Sequence, residues 1–320
     1  MQDNLAMHLL ISHAAPPGPL CQAAIAQLAL PNLTELLCLL TATPPLLGAS
    51  DALTPLPERL RATHMGLEGA DGLIPWAAMD AQQLGLTKMH GDAGWAWITP
   101  CHLNVQSNHI LMDDPLELDV SAHECDTLRA AMKRYFEEDG IALHPLSNGT
   151  WLAFGDVFKD LPTASLERVA ASSIEPWMPL QEGAKHLRRL QNEMQMLLYT
   201  HAVNDARSAL GKPTINAFWI SGTGTPPSST SARAEPLEYV EALRHGALHD
   251  DPQAWQVAWQ TLDRTRLAEL VQSAKAAKPV ELTLCGPRMA VTLELKNKPW
   301  WNRIQQRFSV SSPSQLLSSL

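Results

Sequence analysis

The chain has 320 residues, of which 45% are apolar and 18% charged, so a globular protein with a large core is expected rather than a disordered chain. The formal net charge is −9 and no basic run is longer than two residues, which argues against nucleic acid as a partner. Five scattered cysteines without a C-x-x-C pair indicate neither a disulfide framework nor a zinc ribbon. With no run of about 20 apolar residues and no basic leader, we expect a soluble, cytoplasmic protein that does not bind membranes.

The first 90 residues are predicted to form one strand followed by helices. The run MHLLIS at 7–12 precedes a cluster of prolines and a glycine, which favours a short buried strand. A helix at 32–40 has Asn32 as its candidate N-cap, with Glu35 three residues further on. The other predicted segments are a helix at 20–30, a loop at 43–57 and a broken set of helices at 58–90.

The middle of the chain is predicted to alternate between strands and helices. A strand at 95–102 is followed by a hairpin, because Asn148 and Gly149 lie between two apolar runs. A long helix starts at 182 or 183, breaks around 201–203 and is followed by a shorter helix that closes at Gly211. The remaining segments are a strand at 109–112 and a helix at 121–138.

The last third begins with a strand at 214–220 that is predicted to run into a glycine-spaced loop at 221–224. The following segment, TPPSSTSARAEP at 225–236, has the composition of a linker. Beyond it we predict helices at 237–247 and 252–277, a hairpin at 280–295 that turns at Gly286 and Pro287, and a helix at 299–308.

Helices interspersed with short strands predict an α/β or α+β fold, with a mixed sheet and helices on both faces. The expected organisation is a main domain at 1–224, a linker or loop at 225–236, and a helical and hairpin portion at 237–308. That portion is either separate or packed on the main domain. The serine-rich end, 309–320, is expected to be a loose tail.

The segment RLQNEMQMLLYTHAVNDAR, residues 189–207, combines a helical core stripe with many polar side chains. His201 lies on that stripe near the helix end, either as a hydrogen-bonded core or capping residue or as a catalytic group. Asn204, Asp205 and Arg207 follow within two turns, and an arginine fork beside asparagines suits a carboxylate or a phosphate. The polar flank of the helix is either solvated surface or ligand-binding, and comprises Gln191, Asn192 and Gln195.

The strand INAFWISGTG ends in a glycine-spaced stretch, where open α/β sheets bind ligands. The candidate ligand-binding residues there are Asn216, Trp219, Ser221, Gly222, Thr223 and Gly224. The stretch matches neither a P-loop nor the dinucleotide-binding spacing, so nucleotide binding is not indicated.

A third polar group is the segment TPCH at the end of the strand at 95–102. Thr99 and Cys101 are candidate ligand-binding residues, with Cys101 also open to the roles of nucleophile or small buried thiol. His102 is a candidate acid or base. With His109 and the following aspartates it also suggests a metal site, although the spacing matches no compact motif.

Four stretches, WAWITPCHLNVQSNHILMDDP, YFEEDGIALHP, RRLQNEMQMLLYTHAVNDAR and INAFWISGTG, resemble a family of proteobacterial proteins named regulatory protein, Rpf-E type. Members are often labelled phosphoglycerate mutase, and INAFWISGTG is similar to the N-x-x-W-x-x-G-x-G segment of the archaeal-type cofactor-independent mutases. The resemblance implies an alkaline-phosphatase-like fold, two metal ions held by Asp and His, and a Ser nucleophile. This sequence departs from that pattern, because HECD at 123–126 and HDDP at 249–252 are poor substitutes for the metal-binding motifs.

The sequence therefore predicts a binding or regulatory protein related to the phosphoglycerate mutase group but without its two-metal set. It is expected to have a pocket for a small anionic ligand, a phosphate or a carboxylate. The alternative is phosphoryl transfer or hydrolysis, with His201 or His102 as acid or base and Arg207 as the anion clamp. A protein-interaction module is the second alternative. No cofactor or metal site is predicted, the partner is a small anionic metabolite or a protein, and the oligomeric state is left open.

Overall fold

The computed structural model describes residues 7–90, 92–179, 184–227, 236–295 and 312–320. The chain divides into two compact units. Unit 1 comprises Met1–Asp51, Pro55–Gly66 and Ser231–Leu320, and unit 2 comprises Ala52–Thr54 and Leu67–Thr230. Within the described ranges, no helix has both the length and the apolar character needed to cross a membrane.

The described residues form mixed α/β structure, which confirms the predicted fold class. The strands are β1 (Met7–Ile11), β2 (Thr41–Ala42), β3 (Leu46–Leu47), β4 (Trp95–Cys101), β5 (Leu103–Val105), β6 (Ile110–Met112), β7 (Ala142–Pro145), β8 (Trp151–Phe154), β9 (Ser172–Ser173), β10 (Ala217–Gly224), β11 (Leu237–Val240), β12 (Val280–Cys285) and β13 (Met289–Glu294). The helices are α1 (Pro19–Ala24), α2 (Pro31–Leu39), α3 (Leu56–His64), α4 (Trp76–Gln83), α5 (Thr87–His90), α6 (Ala122–Glu138), α7 (Leu166–Val169), α8 (Lys185–Tyr199), α9 (Ala202–Ala209), α10 (Arg244–Leu248), α11 (Pro252–Leu262), α12 (Ala268–Lys275) and α13 (Pro313–Ser319).

Unit 1 is built on a mixed sheet with the strand order β11-β1-β12-β13-β2, and β3 pairs with β13 as well. The three strands β11, β1 and β12 are parallel, with β1 in the middle, and β13 is antiparallel to β12. Leu9 and Ile11 of β1 pack in one core with residues of α1, α2, α11 and α12. Leu10, on the opposite face, packs with Leu56 and Leu60 of α3. Helices thus cover both faces of this sheet, because successive side chains of a strand point to opposite sides.

Helix α2 is capped from a distant part of unit 1. It begins at Pro31 with no side-chain cap of its own, so the predicted cap by Asn32 and Glu35 is wrong. The Asp263 carboxylate accepts hydrogen bonds from the backbone N–H groups of Asn32 and Leu33 at 3.2 and 2.9 Å. Asp263 is the first residue of a π-helical turn between α11 and α12. A buried carboxylate there satisfies donors that the first turn of α2 leaves open.

Unit 2 contains a four-stranded antiparallel sheet with the order β10-β4-β8-β7 and a small sheet, β5-β6-β9. The hairpin predicted from Asn148 and Gly149 is confirmed as β7 and β8, and Gly149 has the positive φ of 83° that such a turn favours. Residues of α6 and α8, among them Leu128 and Leu190, pack in a core on one face of this sheet. Alanines of α4 pack with Trp95 on the other. The break between α8 and α9 and the strand β4 are also as predicted.

The two units do not follow the predicted domain boundaries. Because β1 lies between β11 and β12, the beginning of the chain belongs to the same unit as residues that follow 231. Part of the predicted linker, 228–235, lies outside the described residues, as does the predicted helix at 299–308. The predicted loose tail contains α13, whose Leu317 is 1% exposed and packs in the core of unit 1.

Two predicted elements are wrong. The predicted helix at 237–247 begins instead with strand β11, because its hydrophobic residues pair alongside β1. The glycine-spaced stretch at 221–224 is not a loop but the second half of β10, which pairs with β4 through a local irregularity between Ser221 and Gly224. The strand therefore ends later than predicted, and its pairing with β4 is antiparallel.

Candidate functional site

Four of the polar residues that the sequence singles out in unit 2 converge on one stretch of backbone, residues 213–216, directly before β10: His102, Asn204, Arg207 and Asn216. Three of these side chains hydrogen-bond to the backbone of that stretch, and the side chain of Asn216 joins the stretch to β5. The bonds run from Arg207 Nε to Pro213 O (2.6 Å), from His102 Nδ1 to Thr214 O (2.7 Å), from Asn204 Nδ2 to Ile215 O (2.8 Å), from Ile215 N to Asn204 Oδ1 (2.7 Å), from Leu103 N to Asn216 Oδ1 (2.7 Å) and from Asn216 Nδ2 to Leu103 O (2.8 Å). These four predicted residues lie close together, and their partners in these bonds are backbone groups of the protein.

Arg207 is not placed as the predicted anion clamp. Its side chain is 1% exposed. Besides Pro213, its guanidinium donates to the carbonyl of Leu118 at 2.6 Å and to the Glu124 carboxylate at 3.0 Å. A guanidinium has five N–H donors, and all three of its nitrogens are engaged here with acceptors of the protein. Arg207 therefore joins α9 to the start of α6 and to the approach to β10.

His201 is the N-cap of α9. Its Nδ1 accepts a hydrogen bond from the backbone N–H of Val203 at 3.2 Å, which is the capping role that the sequence left open beside the catalytic one. On the helix flank, Gln191 Nε2 lies 3.5 Å from the carbonyl of Phe218. The side chains of Asn192, Gln195 and Asp205 are exposed. The flank is thus a surface and not the wall of a pocket around His201.

The candidate residues of β4 and β10 are largely packed into the sheet. Burial raises the pKa of the Cys101 thiol well above its ordinary value, which opposes the thiolate that a nucleophile needs. Thr99 and Ser221 are buried, at 9% and 3% exposed. The Trp219 indole donates to Ala164 O at 3.0 Å and the Thr223 hydroxyl to Leu161 O at 2.6 Å.

Gly222 and Gly224 do not open the backbone to a ligand. Gly222 has a φ of +64°, and a Cβ added there would lie 2.8 Å from the Trp97 ring. A Cβ added at Gly224, whose φ is +144°, would lie 2.9 Å from Pro75. Glycine is needed at both positions so that unit 2 side chains can pack on the strand.

A different polar group lies at the carboxyl edge of the parallel strands of unit 1, the place where α/β sheets commonly bind ligands. Residues 12–14 follow β1 there, and their backbone is hydrogen-bonded to neighbouring segments and to two tryptophan side chains. The bonds run from Ser12 N to Val240 O (3.1 Å), from Ala14 N to Cys285 O (2.8 Å), from Trp255 Nε1 to His13 O (3.1 Å) and from Trp259 Nε1 to Ala14 O (3.3 Å). The turn therefore presents the His13 side chain from a fixed backbone.

His13 itself has a left-handed backbone, with a φ of 55°. Such a conformation is unusual for a residue other than glycine and is found disproportionately at functional sites. The Ser12 hydroxyl donates to Val240 O at 3.0 Å and lies 3.2 Å from His13 Nδ1. Because that hydroxyl hydrogen is already used, the contact requires a hydrogen on Nδ1, which puts the imidazole lone pair on Nε2.

A buried cation contributes to the electrostatics of this edge. Arg244, the first residue of α10, is 6% exposed. Burial, together with the positive charge of Arg244, lowers the pKa of His13 from 6.5 to about 4. At neutral pH the group thus consists of a neutral imidazole and a buried guanidinium.

The pair of metal ions implied by the family resemblance does not fit this donor set. The Asp250 carboxylate accepts hydrogen bonds from the backbone N–H groups of Leu20 and Cys21, and Asp251 caps α11. The Ser12 side chain is fully buried and donates to a carbonyl, and the charge of Arg244 opposes a divalent cation close to His13.

One pair of residues in unit 1 could hold a single transition-metal ion. His245 and His249 are four residues apart around α10, both are exposed, and their ring centroids are 4.9 Å apart. Two imidazoles one helical turn apart can both reach one ion at the usual metal–nitrogen distance of about 2.0–2.1 Å. The remaining coordination positions would be filled by water or by a ligand.

Sequence reasoning missed the unit 1 edge, although part of the signal is visible in the sequence. Ser12 and His13 directly follow the first predicted strand, which is where an α/β fold concentrates functional groups. The pairing of β1 with a strand some 230 residues later brings Arg244 there, and periodicity does not reveal that pairing.

No family model matches the chain. No curated protein matches it either. The similar solved structures include two that match over most of their length. The PH0037 protein of Pyrococcus horikoshii is 12% identical with a TM-score of 0.43, and the match covers 91% of this chain and 88% of that one. A cofactor-independent phosphoglycerate mutase from Thermoplasma acidophilum is 12% identical with a TM-score of 0.36, over 92% and 91% of the two chains. Similarity at this level does not establish a common activity.

Proposed function

We propose that the chain is a binding protein for a small oxyanion, a phosphate or a carboxylate, and that its site is the carboxyl edge of β1 and β11. The observation that supports this is the positive charge of the buried Arg244, which acts on His13 at a turn whose backbone is fixed by Trp255 and Trp259. A fixed positive charge of low exposure stabilises an anion more than a solvated charge would, because less solvent screens it. This proposal puts the anion site in unit 1, whereas the sequence predicted it around Arg207 in unit 2.

The two groups suggest which oxyanion fits. A guanidinium attracts a negatively charged oxygen, and a neutral imidazole can accept a hydrogen bond at the nitrogen that carries no hydrogen. An anion that also bears a hydroxyl hydrogen satisfies both, such as the monoanion of a phosphate monoester or a hydroxy acid. Binding of the anion would stabilise protonated His13 and so raise its pKa.

The proposal is tested by the thermal unfolding of the protein with inorganic phosphate, 3-phosphoglycerate or lactate added. A ligand at about one hundred times its Kd stabilises the folded state by about 2.7 kcal/mol. We expect this ligand-induced shift to be lost in Arg244→Met and kept in Arg189→Met, whose side chain is 53% exposed in unit 2. Comparing each variant with and without ligand separates loss of binding from loss of stability.

His13→Gln is the second variant, because it keeps a polar side chain at the turn. We expect weaker binding of phosphate with little change of fold, as followed by circular dichroism. If Arg244→Met and His13→Gln both respond to the three anions as the wild type does, the site is not at this edge.

The alternative activity, phosphoryl transfer or hydrolysis, is favoured by one observation, the pair His245 and His249. A single bound ion could polarise a phosphoryl oxygen beside the anion site. Elemental analysis of the purified protein and phosphatase or mutase assays with Zn²⁺ or Mn²⁺ test it. A stoichiometric ion lost in His245→Ala, together with metal-dependent turnover, would favour an enzyme over a binding protein.

A further inference from the structure

The turn between β7 and β8 contains Asn148 followed by Gly149, and this is the only Asn-Gly sequence in the chain. The turn is closed by bonds from Leu146 N to Thr150 O at 2.9 Å and from Gly149 N to Leu146 O at 3.4 Å. Together with the positive φ of Gly149, these bonds form the pattern of a three-residue hairpin loop with a glycine bulge. Asn148 is exposed at this turn.

The side-chain amide of Asn148 is polarised by a neighbour in the turn. Its Oδ1 accepts a hydrogen bond from Thr150 N at 3.1 Å. A donor at this oxygen stabilises the negative charge that the oxygen acquires when a nucleophile attacks the amide carbon. The bond therefore favours attack at Cγ of Asn148.

The backbone nitrogen of Gly149 is the nucleophile next to that carbon. Its hydrogen bond to Leu146 O is long, at 3.4 Å, so little is lost when the turn opens and the nitrogen approaches the Asn148 amide. Glycine has no Cβ to hinder the approach, and its backbone accepts the angles that ring closure requires. The two reacting groups belong to adjacent residues, so this step is intramolecular.

We propose that Asn148 is a site of spontaneous deamidation through a cyclic imide, with water as the co-reactant. The Gly149 nitrogen forms a bond to Cγ of Asn148, and the bond from Cγ to the side-chain nitrogen breaks. The –NH2 group leaves as ammonia with the hydrogen of the Gly149 N–H. Water then opens the ring. Addition at Cγ gives aspartate, and addition at the backbone carbonyl carbon gives isoaspartate, in which the chain continues through the former side chain.

The two products differ in their effect on the hairpin. Aspartate keeps the backbone and adds a negative charge, and it is well accepted in turns. Isoaspartate adds one carbon atom to the backbone of the turn, which disturbs the register of β7 and β8. The turn also contacts α6, because the Cys125 thiol donates to Gly149 O at 3.3 Å. Isoaspartate therefore loosens both the hairpin and its contact with α6.

A second hairpin of unit 2 offers a matched control. Asn108 is exposed in the turn between β5 and β6, where Gln106 N donates to His109 O at 2.9 Å. The residue that follows Asn108 is His109, whose Cβ hinders ring closure. Both asparagines are thus exposed in hairpin turns, and they differ in the residue that follows.

Incubation of the whole chain at mildly alkaline pH, followed by peptide mapping with mass spectrometry, tests the proposal. We expect Asn148 to exchange –NH2 for –OH at a rate at least about tenfold higher than Asn108. In His109→Gly, the rate at Asn108 is expected to rise to a similar value. In Asn148→Gln the change at position 148 is lost, because the longer side chain must close a larger ring.

Unfolding of the modified chain in urea tests the structural consequence. The modified chain carries one more negative charge, so anion exchange separates it from the unmodified one. The isoaspartate form is expected to unfold at a lower urea concentration than the wild type. Asn148→Asp, which reproduces the aspartate form, is expected to unfold as the wild type does.

Three results would overturn the proposal. An Asn148 amide that stays intact in the folded chain removes the site, whether or not the urea-unfolded chain reacts. Equal rates at Asn148 and Asn108 show that Gly149 does not promote the reaction. An isoaspartate form that unfolds at the wild-type urea concentration shows that the hairpin tolerates the longer backbone.

Discussion

Among the described residues, each unit contains one almost fully buried arginine, and the two lie in different parts of the fold. Arg207 in unit 2 is 1% exposed and its nitrogens bind carbonyls and a carboxylate from three segments of the chain. Arg244 in unit 1 is 6% exposed and lies where parallel strands end, beside a histidine whose pKa it helps to lower. The type of residue is the same, but the first bonds three segments of the chain together, and the second brings a positive charge to the end of parallel strands.

The comparison shows why a polar cluster in a sequence is weak evidence for a binding site. The polar side chains of the cluster in unit 2 hydrogen-bond to helix ends, turns and backbone segments. Buried carbonyl groups need such donors, so the same side chains are not left for a ligand. The position of a group relative to the ends of parallel strands is more informative than its residue type.

The largest expected effect comes from removing the structural arginine. Arg207→Ala leaves the Leu118 and Pro213 carbonyls and Glu124 without their donor, which we expect to lower the free energy of unfolding by about 3 kcal/mol. Urea unfolding measures this. Arg189→Ala, which removes an exposed arginine of the same unit, is expected to cost less than about 1 kcal/mol. Equal effects of the two substitutions would contradict the assigned role of Arg207.

The next effect is a pH dependence of stability caused by His13. The unfolded chain binds a proton at this residue near pH 6.5, whereas the folded chain binds it only near pH 4. Stability from this source is therefore full above about pH 6.5 and falls as the pH drops toward 4, by at most about 3 kcal/mol. In His13→Gln this part of the pH profile should flatten. An unchanged profile would show that His13 titrates normally.

The fold was predictable where the signal is local. Helix α6, the hairpin β7–β8 and the break before α9 follow from periodicity and from turn residues. The pairing of β1 with β11 and β12 joins residues more than 220 positions apart, and no local pattern encodes it. The cap on α2 has the same origin, since Asp263, in the π-helical turn after α11, is 230 positions away from Leu33 in the sequence.

The site was predictable only in part, for the same reason. The sequence identified Asn204 and Arg207 as unusual, and both are indeed buried. Their partners, however, include Leu118 and Ile215, which only the folded chain brings within reach. The sequence did not reveal the close packing at Gly222 and Gly224, because a glycine that allows close packing looks the same in sequence as one that admits a ligand.

The smallest expected effect concerns the exposed polar flank of unit 2. Asp205→Ala and Gln195→Ala should each change the free energy of unfolding by less than about 0.5 kcal/mol. Neither substitution should alter the response to phosphate or to 3-phosphoglycerate. A clear loss of anion binding in either variant would return the site to the segment that the sequence favoured.

The most direct test of the central claim is a phosphate titration followed by the imidazole resonances of the histidines in ¹H–¹³C NMR spectra. If the anion site is the carboxyl edge of β1, the His13 resonances shift saturably and the pKa of His13 rises from about 4, while those of His102 and His201 remain in place. Saturable shifts at His102 or His201 with His13 unchanged would contradict the account.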